Sequence, residues 1–427
     1  MDHSRFGAAA IAAAVTCMSS WASAEEAPCG RRITRDTVVP CALKASLAVR
    51  AERDDLDAAL GRRSAVSPLL PSNPTLSLSG ARRSGEGQHA TNWYATLAQE
   101  LELGGQRGLR RESVQAQVDA QQKRVLLSQR DVAAAALAAF YEILAAREEQ
   151  ELASRLTATT KAVSIVAHAK ADKGLIAPVD ADVADATAVR AARTKLAADR
   201  QVAAATAGLA TLLGRDPGAG NLEVDGELTP LSGVDAPARA AATADPSTRP
   251  ELQALDSERR AMELRASAFR RSRVPNPTIS AILENDGFNE HVLGFGLSLP
   301  IPIPGNVGRT YNGEIAEAEA LAHRAATERE RARRELQLAV TTAAQGFESR
   351  RLEVEAFTPE LLANAATSLR ALGQEVENGR LTVREAVVAQ QALIELLQGY
   401  VAARRDWCLA SVALARAAGM PLERGTR

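Results

Sequence analysis

Ser72-Asn73-Pro74-Thr75-Leu76-Ser77 returns 203 residues later as Pro275-Asn276-Pro277-Thr278-Ile279-Ser280. Further echoes keep nearly the same distance. Gly174-Leu175 recurs as Gly379-Arg380-Leu381, 205 apart at the glycine, and Leu212-Leu213-Gly214 recurs as Ala417-Ala418-Gly419, again 205 apart. Gly108 and Gly308 are 200 apart, which places small insertions in the strand region between these landmarks. Self-similarity at a fixed offset means one structural unit used twice, and it has to be settled before any fold is assigned.

Each half reads in the same order: short helix, two strands, very long helix, sharp turn, medium helix. The first half gives a short helix over 41–64, strands over 74–84 and 91–103, a long helix over 106–172 and a medium one over 179–213. The second gives 249–272, 276–286, 291–303, 310–376 and 381–418. Each long helix would span about 100 Å at its rise per residue. The short and medium helices of one half, stacked end to end, nearly match that length. Helices of this length point to coiled-coil packing, and abundant alanine lets such helices approach closely. The division is a first repeat over 25–214, a Gly-, Pro- and Ala-rich linker or equatorial segment over 215–248, a second repeat over 249–419 and a tail over 420–427.

The strands alternate with period two. Trp93, Ala95, Leu97, Leu101 and Leu103 share one face, while Tyr94, Thr96, Ala98, Glu100 and Glu102 share the other. In the second half Leu293, Phe295, Leu297, Leu299, Ile301 and Ile303 align, with Ile279, Ala281 and Leu283 on the partner strand. Membrane-crossing strands need about 9–11 residues, and these qualify in length. One reading packs the apolar face on helices of a soluble protein. The other brings chains together to close a barrel, because lipid cannot satisfy an open sheet edge. Four strands cannot close around a channel; three chains would supply twelve. Gly104-Gly105, Gly108 and the run Pro300, Pro302, Pro304 mark where strand turns into helix.

The N-terminus reads as a secretory signal over 1–24, with an uncharged stretch Phe6 to Val15 and a small-x-small site at Ala22-Ser23-Ala24. A lipoprotein reading would use Cys17, although Val15-Thr16 fits a lipobox poorly; an anchoring or disordered N-terminus is the other alternative. Cys29 and Cys41, twelve apart, are candidates for a disulfide in an oxidising compartment, and Cys408 falls in an Ala-rich helical run. No later segment approaches 18 unbroken apolar residues, so no transmembrane helix is expected. With 51 Lys+Arg against 52 Asp+Glu, the net charge of -1 gives no electrostatic footprint for nucleic acid. Neither Cys nor His spacing forms a zinc site, and no nucleophile cluster or phosphate loop supports an enzyme or a cofactor.

The order of these features resembles the TolC family of outer-membrane efflux ducts across about residues 30–420. The residues that carry the resemblance are Asn73-Pro74, Asn276-Pro277, the run Gln99-Glu100-Leu101-Glu102-Leu103-Gly104-Gly105-Gln106-Arg107, the stretch Leu299-Pro300-Ile301-Pro302-Ile303-Pro304 and the two Gly-containing tips. The Leu-Glu-Leu-Gly-Gly-Gln-Arg and Pro-Ile-Pro-Ile-Pro runs look most like the CzcC-like heavy-metal branch. The fold class is then mainly α with β, a duplicated unit of long helical hairpins plus two β-hairpins. The resemblance implies a homotrimer with a 12-stranded barrel in outer-membrane lipid and an α-helical tunnel through the periplasm. It implies as partners a periplasmic membrane-fusion adaptor and a proton-driven inner-membrane exporter of the resistance-nodulation-division class. It implies no catalysis: the duct passively conducts heavy-metal cations, or in the alternative drugs and organic compounds. A non-channel helical envelope scaffold explains the helices but not the paired strand hairpins.

A tunnel that spans the periplasm has to close at its far end, which places the gate at the two helical turns. The gate candidates are Asp172, Glu375 and Glu377, which threefold symmetry would turn into acidic rings that favour cations. The adaptor-docking candidates are Gly174, Leu175, Gly379, Arg380 and Leu381. His168, near the first turn, is a candidate transient metal ligand; a surface histidine is the simpler reading. His89, His291 and His323 pair with no spaced Cys or His.

Overall fold

The structure is a computed structural model that describes residues 29–85, 88–218, 222–234, 246–285, 287, 290–303 and 308–422. The expected signal segment 1–24, with Cys17, and Pro304 lie outside the described residues. In chain order the elements are β1 Arg32–Ile33, α1 Arg35–Ala45, α2 Leu47–Ala65, β2 Thr75–Gly85, β3 Gln88–Glu100, α3 Gln106–Asp172, α4 Pro178–Leu212, β4 Glu223–Val224, a 3-10 turn Pro246–Thr248, α5 Pro250–Arg271, β5 Thr278–Asn285, β6 His291–Ser298, α6 Asn312–Glu355, α7 Pro359–Glu377 and α8 Val383–Ala418.

Two departures from the sequence expectation concern helix continuity. The second long helix, expected unbroken over 310–376, is two helices, α6 and α7, separated at 356–358. Pro359 is the cause. Its ring excludes helical backbone at the preceding residue, and Thr358 takes φ -70 and ψ 148. Thr358 then caps α7 by accepting from the Leu361 N–H at 3.3 Å, with Pro359 in the first turn where no N–H is needed. The short helix expected over 41–64 is likewise two pieces, α1 and α2. They part at Ser46, whose hydroxyl accepts from the Val49 N–H at 3.2 Å.

The four long strands form one antiparallel sheet in the order β2-β3-β5-β6. Its register aligns Leu76, Leu97, Ala281 and Phe295 in one row, and Leu78, Ala95, Leu283 and Leu293 in the next row of the same face. Among the described residues no helix covers that face: Phe295 is 83% and Leu297 74% exposed. The rows of the opposite face are more polar, although Ile282 and Val292 interrupt them: Ser77, Thr96, Ile282 and Gly294, then Ser79, Tyr94, Glu284 and Val292. This inverts the usual arrangement, in which a sheet hides its apolar side. β2 and β6 are the sheet's two edges.

The joint between sheet and helices is cross-linked between repeats. Buried Gln106, at the head of α3, donates to the Arg271 and Val274 carbonyls and to Asn276 at 3.3–3.4 Å. Asn276 in turn donates to Glu100 at 2.7 Å, and Arg110 clasps Glu102 with bonds of 2.6 and 2.8 Å. The second Asn-Pro motif thus ties the second repeat to both a strand and the long helix of the first. Gly105 and its counterpart Tyr311 both hold left-handed backbone before a long helix, φ 75 and 55. Tyr311 is held there by stacking on Phe269 at 6.2 Å and by the Arg309 guanidinium 4.8 Å over its ring.

α3 is the spine. Nearest the sheet it packs between α2 and α5, and α5 packs on α6; farther down, α3 meets α4, α7 and α8. The main core surrounds its midpoint, with Ala133, Leu137, Phe140, Tyr141 and Leu144 against Val38 and Val39 of α1 and Val412 and Leu414 of α8. The inter-repeat segment contributes Leu222, Val224, Leu228, Leu231 and Val234 to this core, and β4 pairs in parallel with β1. It is an equatorial packing element as well as a connection. Cys29 and Cys41 are joined in a disulfide beside it, and Cys408 is buried and free. Among the described residues, α8 alone has the length and composition of a membrane span. Its Arg404, however, pairs with Glu148 of α3 at 2.8 Å, and the helix lies within the bundle.

Candidate functional site

The candidate gate and docking residues fall on two adjacent turns at the end of the bundle remote from the sheet. Both turns are built alike. The Gly174 N–H bonds to the Ala171 carbonyl and the Leu175 N–H to that of Lys170, each at 2.9 Å; the Gly379 N–H bonds to Val376 at 3.2 Å and the Arg380 N–H to Glu375 at 2.9 Å. This is the Schellman pattern, which needs left-handed backbone at its pivot. Gly174 has φ 70 and Gly379 φ 74. Such geometry costs other L-residues roughly 1–2 kcal/mol. The same bonds recur at Gly214 and Gly419, which end α4 and α8.

The helices that leave the turns start differently. α8 begins with a capping box: Thr382 accepts from the Glu385 N–H at 3.2 Å, and Glu385 accepts from the Thr382 N–H at 2.9 Å. The Thr382 backbone and hydroxyl bonds hold the Glu385 carboxyl below its ordinary range. α4 begins at Ala177-Pro178 with no side-chain cap.

A small apolar cluster joins the two hairpins: Val163 and Ala167 of α3, Ala181 and Ala184 of α4, Val376 of α7, and Val383 and Ala386 of α8. Two polar ties flank it. The Lys170 ammonium reaches the Val376 carbonyl, which also accepts from the Gly379 N–H, at the C-terminus of α7, where a cation is favoured. Arg384 pairs with Asp180 at 3.4 Å, from the first turn of α8 to the first turn of α4. A third tie lies within the first hairpin. Ser164 donates to Asp185 at 2.5 Å and His168 pairs with the other carboxylate oxygen at 2.8 Å. The bond and charge of Asp185 raise the His168 pKa above its ordinary value, and the bonds from Ser164 and His168 lower that of Asp185.

The predicted acids are not equivalent. Glu375 is drawn toward Arg380 of its own turn, 3.4 Å away. Asp172 and Glu377 are exposed at the ends of α3 and α7 and have no ion pair among the described residues. Leu175 is 69% exposed, whereas Leu381 is half-buried against the tip cluster. Sequence reasoning missed Lys170, Asp180, Asp185 and Arg384. One signal was available: His168 lies 6 residues before Gly174 and Asp185 lies 11 after it, close enough on facing helices of a hairpin for the two to pair. No group of three or more His, Cys, Asp or Glu suited to a metal ion occurs among the described residues.

Residues 38–215 match the family model for outer membrane efflux protein. No protein of curated function matches the chain by sequence. The fold is shared with solved membrane channels. A membrane protein from Pseudomonas aeruginosa is 18% identical with a TM-score of 0.77, covering 90% of this chain and 92% of its own. CusC, from a study of transmembrane channel formation, is 15% identical with a TM-score of 0.74, covering 91% and 92%. The open-state MtrE outer membrane channel of Neisseria gonorrhoeae is 17% identical with a TM-score of 0.72, covering 92% and 90%. The chain therefore has the protomer fold of TolC-type channels, with long helical hairpins and two β-hairpins. The similarity spans several such channels at comparable levels and does not single out the heavy-metal branch.

Proposed function

We propose that this chain is the outer-membrane duct of a tripartite efflux system. Three copies place their sheets edge to edge as a twelve-stranded barrel, and their helices continue it as a periplasmic tunnel. The observation that carries the reading is the inverted sheet: an uncovered apolar face, a more polar opposite face and two open edges. Only closure satisfies such edges in lipid. The shared fold and the match over residues 38–215 support the same reading. Transport energy comes from an inner-membrane exporter of the resistance-nodulation-division class, linked through a periplasmic adaptor; the duct itself performs no chemistry.

Cargo selection lies with those partners. The polar sheet face carries mainly hydroxyl and small side chains, Ser77, Ser79, Thr96 and Ser280, with Glu284 and Glu100 as the acids of its paired rows. Such a lining suits organic compounds better than it selects a metal cation. The heavy-metal reading is the second one, and it rests on the runs at residues 99–107 and 299–304 and on the exposed acids of the tips. Export assays in cells that lack their own duct separate the two: a gain in tolerance to organic toxicants without a gain for cobalt, zinc or cadmium favours the first.

The tips form the gate and the docking surface. Asp172 and Glu377 line the constriction, with Glu375 held back by Arg380. Gly174 and Gly379 set the turns, and Leu175, Arg380 and Leu381 receive the adaptor. Imaging the detergent-extracted chain is expected to give a threefold particle with a tube of about 100 Å. A soluble monomer refutes the duct. In planar bilayers, Lys170→Ala combined with Arg384→Ala is expected to raise resting conductance by releasing one hairpin from the other. Unchanged conductance in a well-assembled trimer removes these ties from the gate. Gly379→Asp is expected to abolish export while leaving the barrel assembled, and normal export would refute that role.

A further inference from the structure

In the half of the bundle nearest the sheet, α2 and α6 are the outer helices of the wall, and each has a long face that no described residue covers. On α2 this face is Leu47, Ala51, Asp54, Ala58, Gly61 and Ala65, all exposed and spaced by alternating four and three residues. That spacing marks a packing seam on a helix. It lies opposite Val49 and Ala59, which face α3. On α6 the face is Gly313, Ala316, Ala320, Thr327, Arg331 and Leu338, all exposed. It lies opposite the buried stripe of Ile315, Ala318, Ala322 and Ala325, which faces α5.

Hydrogen bonds across the wall give the two faces a common height. Gln121 of α3 donates to the Glu52 carbonyl of α2 at 3.2 Å, Ser113 of α3 donates to the Ala261 carbonyl of α5 at 2.7 Å, and Asp256 of α5 pairs with Arg329 of α6 at 2.8 Å. Glu52 and Arg329 therefore lie within about one helical turn of the same level. α2 runs toward the sheet and α6 away from it. Asp54 is then level with about residue 327, and Gly61 with about residue 320.

At those levels the faces are complementary. Small residues meet small residues near the sheet, Leu47 comes within about one helical turn of Leu338 far from it, and Asp54 falls between Arg324 and Arg331. Asp54 has no ion pair among the described residues. The two arginines are engaged only in surface pairs with Glu328 at 2.8 Å and Glu335 at 2.7 Å, pairs that contribute little on their own. The edges are also continuous: α2 leads into edge strand β2, and edge strand β6 leads into α6.

We propose that α2 of each copy packs against α6 of the next along these faces, with Asp54 seated between the neighbour's Arg324 and Arg331. This rests on the ring reading above and adds its register. Rotation about an axis along the tunnel preserves height, so the level matched within one chain is the level met across the seam. Small residues allow the two helices to close to about 8 Å, and the charged layer fixes their sliding position.

The test is disulfide crosslinking of the full chain in detergent. Asp54→Cys/Thr327→Cys and, separately, Gly61→Cys/Ala320→Cys are oxidised with copper–phenanthroline, beside the single variants and a native mass measurement. The expected result is a covalent trimer as the main non-reduced species from each double variant and none from the single ones. A native trimer that neither double variant crosslinks overturns the seam and leaves the ring standing. A monomeric unsubstituted chain overturns both. Charge exchange gives an independent readout: Asp54→Arg is expected to lower trimer yield, and adding Arg331→Asp to restore it. Equal yields in all three overturn the charged layer.

Discussion

The two helical arms descend from one repeat, yet they have opposite characters. α3 is unbroken and carries the core; its counterpart is cut at Thr358-Pro359, and its upper part, α6, buries far fewer side chains than α3. What both arms retain is their ends. Gly174 and Gly379 stop the descending helices, and Gly214 and Gly419 stop the returning ones, all four with left-handed backbone. The comparison teaches that turn chemistry tolerates less change than the helix between turns. A turn has one backbone solution, whereas a helix face can exchange core for solvent when its neighbours change.

The largest test contrasts equivalent mid-arm positions. Phe140 is buried against Tyr141, with ring centroids 5.9 Å apart, and Gln345, its counterpart at the 205-residue offset, is exposed. Phe140→Ala is expected to cost about 3–5 kcal/mol. Gln345→Ala is expected to stay within about 0.5 kcal/mol. Thermal unfolding in detergent measures both, and similar costs would mean that the arms are not spine and edge.

The four glycines come next. Gly174→Ala and Gly379→Ala are each expected to cost about 1–2 kcal/mol, because backbone conformation alone is at stake. Gly214→Ala should cost more, since its new Cβ would lie 3.0 Å from that of Ala45, while the space beside Gly174 is open. Equal melting shifts at positions 174 and 214 would place the whole cost in the backbone.

The caps sharpen the comparison at smaller scale. Thr382→Ala is expected to lose about 1 kcal/mol of local stability at the second tip, and Ala177→Ser to add up to about that much at the first. Hydrogen exchange at the first turns of α8 and α4 reads each change separately.

The smallest effect is the dependence of the first tip on pH. His168 has a raised pKa through its bond to Asp185. Its contribution is therefore complete below the ordinary histidine value and is lost as pH rises through the higher folded-state value. The first tip should protect its amides less above that range, and His168→Gln should remove the dependence. A dependence that survives the substitution assigns it to another group.

Much of the fold was legible because it rests on period and punctuation. α3 shows long helical periodicity between glycines, and the strands alternate by twos. The break before α7 was also written in Thr358-Pro359-Glu360, a cap followed by a first-turn proline. Symmetry with the first arm concealed it, because there Ala153-Ser154 stands at the corresponding place. The turns of the candidate site could be located from their glycines. Lys170 on Val376 and Arg384 on Asp180 could not, since both depend on how one hairpin lies against another some 200 residues away in sequence. Glu375 shows the same limit: its place in the turn is local information, and Arg380 decides whether its charge is free.

The core around the midpoint of α3 makes that helix a lever with its fulcrum at the equator. From Phe140 the arm to Asp172 measures about 50 Å at the helical rise, and the arm to Gln106 is slightly longer. A tilt of about 5° at the fulcrum carries the tip sideways by about 4 Å, enough to part packed side chains. The sheet end need not follow, because Gln106, Asn276 and Glu100 bind that end of the helix to two strands. A stiff rod pinned at its centre and clamped at one end bends toward the other, so small forces applied at the tips displace those turns while the sheet end keeps its place.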